Sequence, residues 1–167
     1  DTTFFELNGQ CYYVTPRDGI KIAKFDPDNP TELTGEPVVI SQPTLAFEHN
    51  VLTKQNIQEG SSVLFHDDKI FIAYACATVD QFYATNVIYA DVNSDLMDPG
   101  SWTKYPYPIL STPDLTKTSA DGEYIGVFGP GHNSFTVDEN GNAAFEWEGI
   151  HGSPIEFGYR NKMEISF

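Results

Sequence analysis

The sequence predicts an all-β fold, and three features of its 167 residues support this prediction. Short runs rich in Phe, Tyr, Val and Ile are separated by turn residues, and no run keeps apolar residues at helical spacing for three turns. The dipeptide Asn8-Gly9 separates two such runs, and Asn-Gly is the strongest short signal for a β-hairpin. The same hairpin pattern recurs twice further along the chain, which indicates a repeated unit.

The repeated unit has the strand content of a β-propeller blade. The predicted hairpins cover residues 3–14, 62–74 and 134–147, and further strands are predicted at 19–25 and 85–91. A proline-bearing segment with a last short strand follows each of these two further strands, so each unit holds about four antiparallel strands. Four-stranded units repeated at long intervals are typical of propeller blades.

We therefore expect one partial β-propeller domain over residues 1–167. Its three blade-like units are expected at about residues 1–50, 51–115 and 116–167. Because hairpins recur in every antiparallel fold, the pattern alone leaves a β-sandwich with three similar hairpins open.

The composition limits the partners of the chain. The formal net charge is −15, and only 9 residues are Lys or Arg, so the chain is expected to repel phosphate backbones and anionic lipid surfaces. No apolar run approaches the roughly 18 residues that a membrane helix needs. We expect a soluble chain that binds neither nucleic acid nor membrane.

In each of the three units, one polar residue comes just before the first strand. Glu59 lies eight residues before Asp67 in the second hairpin turn, and His132 lies eight before Asn140 in the third. Asp1 lies seven residues before the turn of the first hairpin. The first strand of a propeller blade begins beside the central channel. Allowing one residue for a β-bulge, we expect the three side chains to converge on one pocket.

These residue types suit the hydrolysis of a glycoside. A glycosidic oxygen leaves slowly unless a carboxylic acid protonates it as the bond breaks, and Glu59 is the candidate acid. Burial and a neighbouring carboxylate, such as that of Asp1, both raise a carboxyl pKa and keep the acid protonated. A solvated loop glutamate is the alternative interpretation of Glu59.

Three further residues are candidates for substrate contacts. His132 follows a Gly-Pro-Gly turn, so it could donate a hydrogen bond to substrate, order a hydrated ion on the channel axis, or cap a strand. No second nearby His or Cys gives it zinc-site spacing. Phe47 could stack on the apolar face of a sugar, with ordinary burial as the alternative. Glu48 could accept hydrogen bonds from sugar hydroxyls, with a surface charge as the alternative.

Four segments together resemble glycoside hydrolase family 43. They are residues 58–64 (QEGSSVL), 69–75 (KIFIAYA), 95–102 (DLMDPGSW) and 129–135 (GPGHNSF). The opening segment 1–9 is similar to the exo-acting α-L-arabinofuranosidase branch of that family. The resemblance implies a five-bladed propeller and an inverting single displacement that uses a general base, a pKa-modulating aspartate and a general acid.

The resemblance also implies roles for single residues. By position, Glu59 matches the general acid, Asp1 the pKa modulator, and His132 the histidine near an axial ion or water. The base belongs to a preceding blade, and no residue of this chain matches it. Three blades do not close a ring, so the remaining blades are expected from the same protein or from another chain. No cofactor is expected to be required, while an axial calcium or other ion is left open.

Three functions follow as hypotheses. The first is an extracellular, inverting hydrolase of terminal arabinofuranosyl or xylosyl bonds in plant-type polysaccharides. The second is a non-catalytic carbohydrate-binding propeller that lacks the base, and the third is an interaction module with no sugar site. Residues 145–151 depart from the family pattern, which leaves the choice between arabinose and xylose open.

Overall fold

The computed structural model describes residues 1–16, 19–112, 129–137, 143–149 and 159–164. Within these ranges the regular elements are twelve β-strands and two 3-10 turns of three residues each. The strands are β1 (Thr3–Leu7), β2 (Gln10–Pro16), β3 (Ile20–Asp26), β4 (Asn29–Leu33), β5 (Val38–Ser41), β6 (Gln58–His66), β7 (Lys69–Cys76), β8 (Ala84–Asp91), β9 (Thr103–Lys104), β10 (Gly131–Val137), β11 (Ala143–Gly149) and β12 (Tyr159–Glu164). In the described part of the chain, no helix has the length and apolarity needed to cross a membrane.

The strands form three antiparallel sheets in chain order. The first has the order β1-β2-β3-β4, with β5 also pairing with β3. The second has the order β6-β7-β8-β9, and the third has the order β10-β11-β12. The all-β prediction and the strands of the three predicted hairpins are therefore confirmed, although the turn at 139–142 lies outside the described residues.

Strand β4 is an element that the sequence did not predict. All five of its residues are exposed, and it contains Pro30, which normally argues against a strand. It lies at the edge of the first sheet, where a residue without a backbone N–H breaks no ladder hydrogen bond. The edge position therefore explains why a strand forms there.

The first hairpin turn follows directly from its two residues. Asn8 and Gly9 both have positive φ, at 53° and 79°. Positive φ at both central positions is the type I′ geometry, whose twist matches that of the flanking strands. The turn therefore pairs Leu7 with Gln10 and sets the register of β1 against β2.

The main hydrophobic core lies between the first and second sheets. It is centred on isoleucines with at most 1% exposure, namely Ile20, Ile22, Ile70, Ile72 and Ile88. Phe5 of β1 contacts Phe65 of β6 edge-on, with ring centroids 5.7 Å apart. One face of the first sheet is thus covered by the second sheet.

The opposite face of the first sheet carries a second apolar cluster, here called the outer face, made of Phe4, Tyr13, Phe25 and Leu33. The rings of Tyr13 and Phe25 stack with centroids 4.0 Å apart, and Phe4 meets Phe25 edge-on at 6.5 Å. Phe4 is nevertheless 70% exposed and Leu33 47% exposed. Residues of β2 to β4 and Pro37 also line a groove of about 280 Å³ on this face.

The third sheet joins the second through their first strands. Strand β10 packs against β6 and β7, and the Phe135 backbone N–H donates a hydrogen bond to Ser62 Oγ at 2.9 Å. The N-terminal ends of β6 and β10 thereby lie side by side. The candidate site is built there.

The turn geometry predicts different outcomes for two glycines. Gly9→Ala should lower the free energy of unfolding by about 1–2 kcal/mol, because an alanine at positive φ is strained. Gly35→Ala is the matched control, because open space surrounds both glycines and only Gly9 has a positive φ. Urea unfolding followed by Trp fluorescence measures both variants. Equal stability of the two would contradict the type I′ assignment.

Candidate active site

Strands β6 and β10 carry the same backbone irregularity near their N-terminal ends. The pairing shifts within residues 59–62 of β6 and within residues 131–134 of β10. In each bulge one residue has positive φ, 59° at Gly60 and 46° at His132. Positive φ is uncommon for histidine, and β-bulges with such residues re-aim the side chains beside them. Both strands are therefore bent at the same place.

The shared bulge corrects the sequence-based alignment of the two strands. In the sequence, Glu59 and His132 each lie eight residues before a turn residue of their hairpin, which predicts that they occupy equivalent positions. The bulges instead match Gly60 with His132, so Glu59 corresponds to Gly131. The expected register was wrong by one residue, because Phe65 pairs with Ile70, five positions further along the chain, whereas Val137 pairs with Ala143, six positions further along.

Glu59 is held by a buried tyrosine. Tyr83, just before β8, is 4% exposed and donates a hydrogen bond from its hydroxyl to Glu59 Oε1 at 2.8 Å. Glu59 itself is half-buried. Burial, followed by the charge of Glu59 and the hydrogen bond to it, raises the pKa of Tyr83 well above its ordinary value. The tyrosine therefore stays a neutral hydrogen-bond donor to the carboxyl group of Glu59.

The backbone of β10 covers the ring of Tyr83. A Cβ atom built on Gly131 would lie 2.0 Å from Tyr83 Cε1, so only glycine fits at this position. The Thr85 hydroxyl also donates to the Pro130 carbonyl at 3.2 Å, which holds this part of the chain on β8. Nothing in the sequence signals the contact of Tyr83 with Glu59, because the two residues lie 24 positions apart along the chain.

His132 lies beside the Glu59 segment. A Cβ atom built on Gly60 would be 3.5 Å from His132 Nδ1, so the two bulges face each other closely. The His132 side chain is exposed. The structure thus brings Glu59 and His132 to one place, as the sequence predicted. The role of His132 in binding substrate or an ion stays a prediction.

Asp1 and Phe47 are less closely tied to this place. Asp1 is exposed, and the described residues provide no hydrogen bond or ion pair between Asp1 and Glu59. Its role as a pKa modulator stays a prediction. Phe47 is half-buried and packs against the main core, so part of its surface is taken by packing. Stacking of Phe47 on a sugar also stays a prediction.

Glu48 is not a sugar-binding or surface carboxylate. Its side chain is 0% exposed. Donors surround it, namely the backbone N–H groups of Thr44 and Leu45 at 2.8 Å each, Gln58 Nε2 at 2.8 Å, Tyr74 Oη at 2.6 Å and Lys104 Nζ at 2.9 Å. With both oxygens engaged and no surface exposed, Glu48 is a structural residue, and both sequence-based interpretations of it are wrong.

The network around Glu48 keeps its carboxylate charged. Burial by itself raises the pKa, but the hydrogen bonds from Tyr74, Leu45, Lys104 and Gln58 outweigh burial and hold the pKa of Glu48 below its ordinary value. Gln58 also donates to Ser41 Oγ at 3.0 Å. Because Gln58 directly precedes Glu59, this network lies next to the candidate acid along β6.

The described residues contain no group of three or more His, Cys, Asp or Glu side chains placed to hold a metal ion. His132 is the residue for which the sequence predicts contact with an ion, through a water molecule. From the sequence we expect that no cofactor is required, and the binding of an axial calcium or other ion is left open. Both points stay predictions.

Comparison with known proteins identifies the family. The sequence pattern of "Glycosyl hydrolases family 43" matches residues 1–152 of the chain. The chain belongs to glycosyl hydrolase family 43. It is 34% identical over 133 residues to an "Extracellular exo-alpha-(1->5)-L-arabinofuranosidase" of Streptomyces avermitilis, which covers 76% of this chain and 25% of that protein. It is 30% identical over 170 residues to "Alpha-L-arabinofuranosidase B" of Pyricularia oryzae, which covers 93% of this chain and 32% of that protein.

Solved structures of the family share the fold. An α-L-arabinofuranosidase from Lactobacillus brevis superposes with a TM-score of 0.81 at 26% identity, covering all of this chain and 52% of that chain. The family 43 structures are five-bladed β-propellers, which confirms the predicted fold class. The family 43 chain described here thus spans about half of that solved relative and about a quarter to a third of the two curated ones.

The buried network predicts a pH-dependent contribution to stability. Glu48→Gln should lower the free energy of unfolding at pH 7 by about 3–5 kcal/mol, because it leaves the partly buried Lys104 without its counter-charge and removes the charged acceptor from the buried donors. A carboxyl whose folded pKa is depressed contributes stability above its unfolded pKa, 4.5 for a glutamate, and loses it as pH falls through the folded value. The difference between wild type and variant should therefore shrink below that pH.

Urea unfolding at pH 7 and at pH 3 measures this difference. Glu36→Gln is the control, because Glu36 is exposed, and it should change stability by less than about 0.5 kcal/mol. A Glu48→Gln variant as stable as the control at pH 7 would show that the network contributes nothing.

Proposed function

We propose that the chain is part of an inverting glycoside hydrolase that removes terminal arabinofuranosyl or xylosyl residues from plant-type polysaccharides, with Glu59 as the general acid. The observation that carries the proposal is the half-buried Glu59 carboxyl, held by Tyr83 where the bulges of β6 and β10 meet. Membership of family 43 and the names of the arabinofuranosidase relatives support the reaction class and the pentose substrate.

The chemistry assigned to Glu59 is the delivery of one proton. The glycosidic oxygen takes the proton as its bond to the sugar breaks, while water attacks the opposite face of the sugar ring. In inverting enzymes the acid and the base lie about 6.5–9.5 Å apart, to leave room for that water. We assign the base to a preceding blade, because no residue of this chain matches its position. Asp1 is proposed to modulate the pKa of the general acid. Phe47 and His132 are proposed to contact the sugar.

The outer face is proposed to bind that preceding blade. One face of the first sheet is covered by the second sheet, whereas on the outer face Phe4 is 70% exposed and Leu33 47% exposed. Exposed apolar clusters of this kind are typical of interaction surfaces. In a propeller each inner blade is covered on both faces by its neighbours, so the occupant that fits is another antiparallel sheet. The 52% coverage of the solved relative is consistent with further blades in the complete protein.

We also propose an extracellular location for the complete protein. The Streptomyces avermitilis relative and a second relative from Streptomyces chartreusis, 33% identical over 132 residues, are both named extracellular. A polysaccharide substrate is consistent with that location.

Replacing the acid should abolish hydrolysis of unactivated substrates. Glu59→Gln in the complete protein should lower kcat/KM for arabino-oligosaccharides or xylo-oligosaccharides by about 10²–10⁴-fold, the usual contribution of general acid catalysis. Glu36→Gln, with an exposed carboxyl, is the control and should keep the wild-type rate. An unchanged rate for Glu59→Gln would refute the assignment. Sugar binding by calorimetry without turnover in the wild type would favour the non-catalytic propeller.

A pair of equally exposed residues tests the outer face. Phe4 and Leu52 are both 70% exposed in this chain. In the complete protein Phe4→Ser should cost about 1.5–3 kcal/mol, because a preceding blade buries the ring. Leu52→Ser, on a turn away from the outer face, should cost less than about 0.5 kcal/mol. Equal effects on thermal unfolding would mean that no blade covers the outer face.

A further inference from the structure

The hydroxyl of Tyr83 lies between the candidate acid and the backbone of the third sheet. It donates to Glu59 Oε1 at 2.8 Å, and this is the one side-chain hydrogen bond that Glu59 makes among the described residues. The backbone of His132 lies close enough to Tyr83 to oppose the rise in the pKa of its hydroxyl. The Tyr83 hydroxyl thus links the two bulged strands at the point where Glu59 and His132 meet.

The ring of Tyr83 has little freedom to move. It is 4% exposed, its backbone N–H donates to the Asp80 carbonyl at 3.0 Å, and the Gly131 backbone lies directly on the ring. A hydroxyl on a ring held in this way has a fixed position. The oxygen of Glu59 that accepts from it is therefore fixed as well.

We propose that Tyr83 is a positioning residue for the general acid. By binding one carboxyl oxygen of Glu59, it directs the other oxygen, which carries the proton, toward the glycosidic oxygen. This inference rests on the proposed role of Glu59. Because Tyr83 is buried, we place it behind Glu59 and not in contact with the substrate.

The hydrogen bond also acts during the reaction. As Glu59 gives its proton to the leaving oxygen, the electron pair of the broken O–H bond stays on the carboxyl group, which becomes a carboxylate. The bond from Tyr83 strengthens at that moment, because hydrogen bonds to charged acceptors are stronger than those to neutral ones. The tyrosine keeps its own proton throughout. Its bond therefore stabilises the product side of the proton transfer.

Tyr83→Phe in the complete protein removes this bond and keeps the ring. With a poor leaving group, such as an unactivated arabino-oligosaccharide or xylo-oligosaccharide, kcat/KM should fall about 10–100-fold, the value of a hydrogen bond to a charged group. With a 2,4-dinitrophenyl arabinofuranoside or xyloside the loss should be much smaller, because that leaving group needs no protonation. The alkaline limb of the pH–rate profile should move to higher pH, because the bond favours the ionised carboxyl.

Tyr74→Phe is the matched control. Tyr74 is also fully buried and also donates to a glutamate, Glu48, at 2.6 Å, but that glutamate has no exposed surface. Loss of the hydrogen bond from Tyr74 should lower thermal stability. It should leave the leaving-group dependence and the alkaline limb of the pH–rate profile as in the wild type. A Tyr83→Phe variant that behaves in the same way would overturn the inference.

A second variant covers the case in which Tyr83→Phe does not fold. Placing 3-fluorotyrosine at position 83 keeps the ring and makes the phenol a stronger donor, so the alkaline limb should move to lower pH. An unmoved limb in this variant would also overturn the inference.

The Glu59→Gln variant separates this inference from the proposed function. If Glu59→Gln leaves both classes of substrate unaffected, Glu59 is not the acid and the proposed function fails. Suppose that Glu59→Gln loses activity only on substrates with poor leaving groups, while Tyr83→Phe loses activity on both classes of substrate equally or on neither. The role of Glu59 then stands. The inference about Tyr83 then fails alone.

Discussion

The buried carboxylate of Glu48 is the interaction on which the rest of the structure most depends. A charge without any exposed surface is stable only when donors surround it, and those of Glu48 come from the turn at 44–45, β6, β7 and β9. All of these elements must be in place together. The network therefore joins the end of the first sheet to three strands of the second. It also fixes Gln58, the residue before the candidate acid.

A second constraint brings the third sheet to the same place. Gly131 lets the backbone of β10 lie on the ring of Tyr83, and the ring in turn holds Glu59. The bulges at Gly60 and His132 bend both strands where they face each other. Close packing and backbone irregularity thus occur together at the one cluster where the family resemblance also assigns chemistry. This coincidence supports the proposal that Glu59 is the general acid more strongly than any single sequence motif does.

Local patterns were sufficient for much of the fold. Asn8-Gly9, the alternation of apolar residues and the recurrence of hairpins depend on neighbours in the chain, so the first two hairpins and the strands of the third were predictable. Strand β4 was not predicted, because Pro30 argues against a strand unless that strand is known to lie at the edge of a sheet. The site was predicted in part, since Glu59 and His132 do lie together, but with the register wrong by one residue.

The sequence by itself determined the all-β class, the repeat, the family, and which two strand ends carry the candidate chemistry. The tertiary structure alone decided that Glu48 is buried and that Tyr83 holds Glu59. Partners of Glu48 lie up to 56 residues away along the chain, and Tyr83 lies 24 residues from Glu59. Periodicity and turn chemistry report only on near neighbours, whereas burial and hydrogen bonding depend on residues that folding brings together. The sequence therefore does not distinguish the buried Glu48, which pairs with Lys104, from the half-buried Glu59, which accepts from Tyr83.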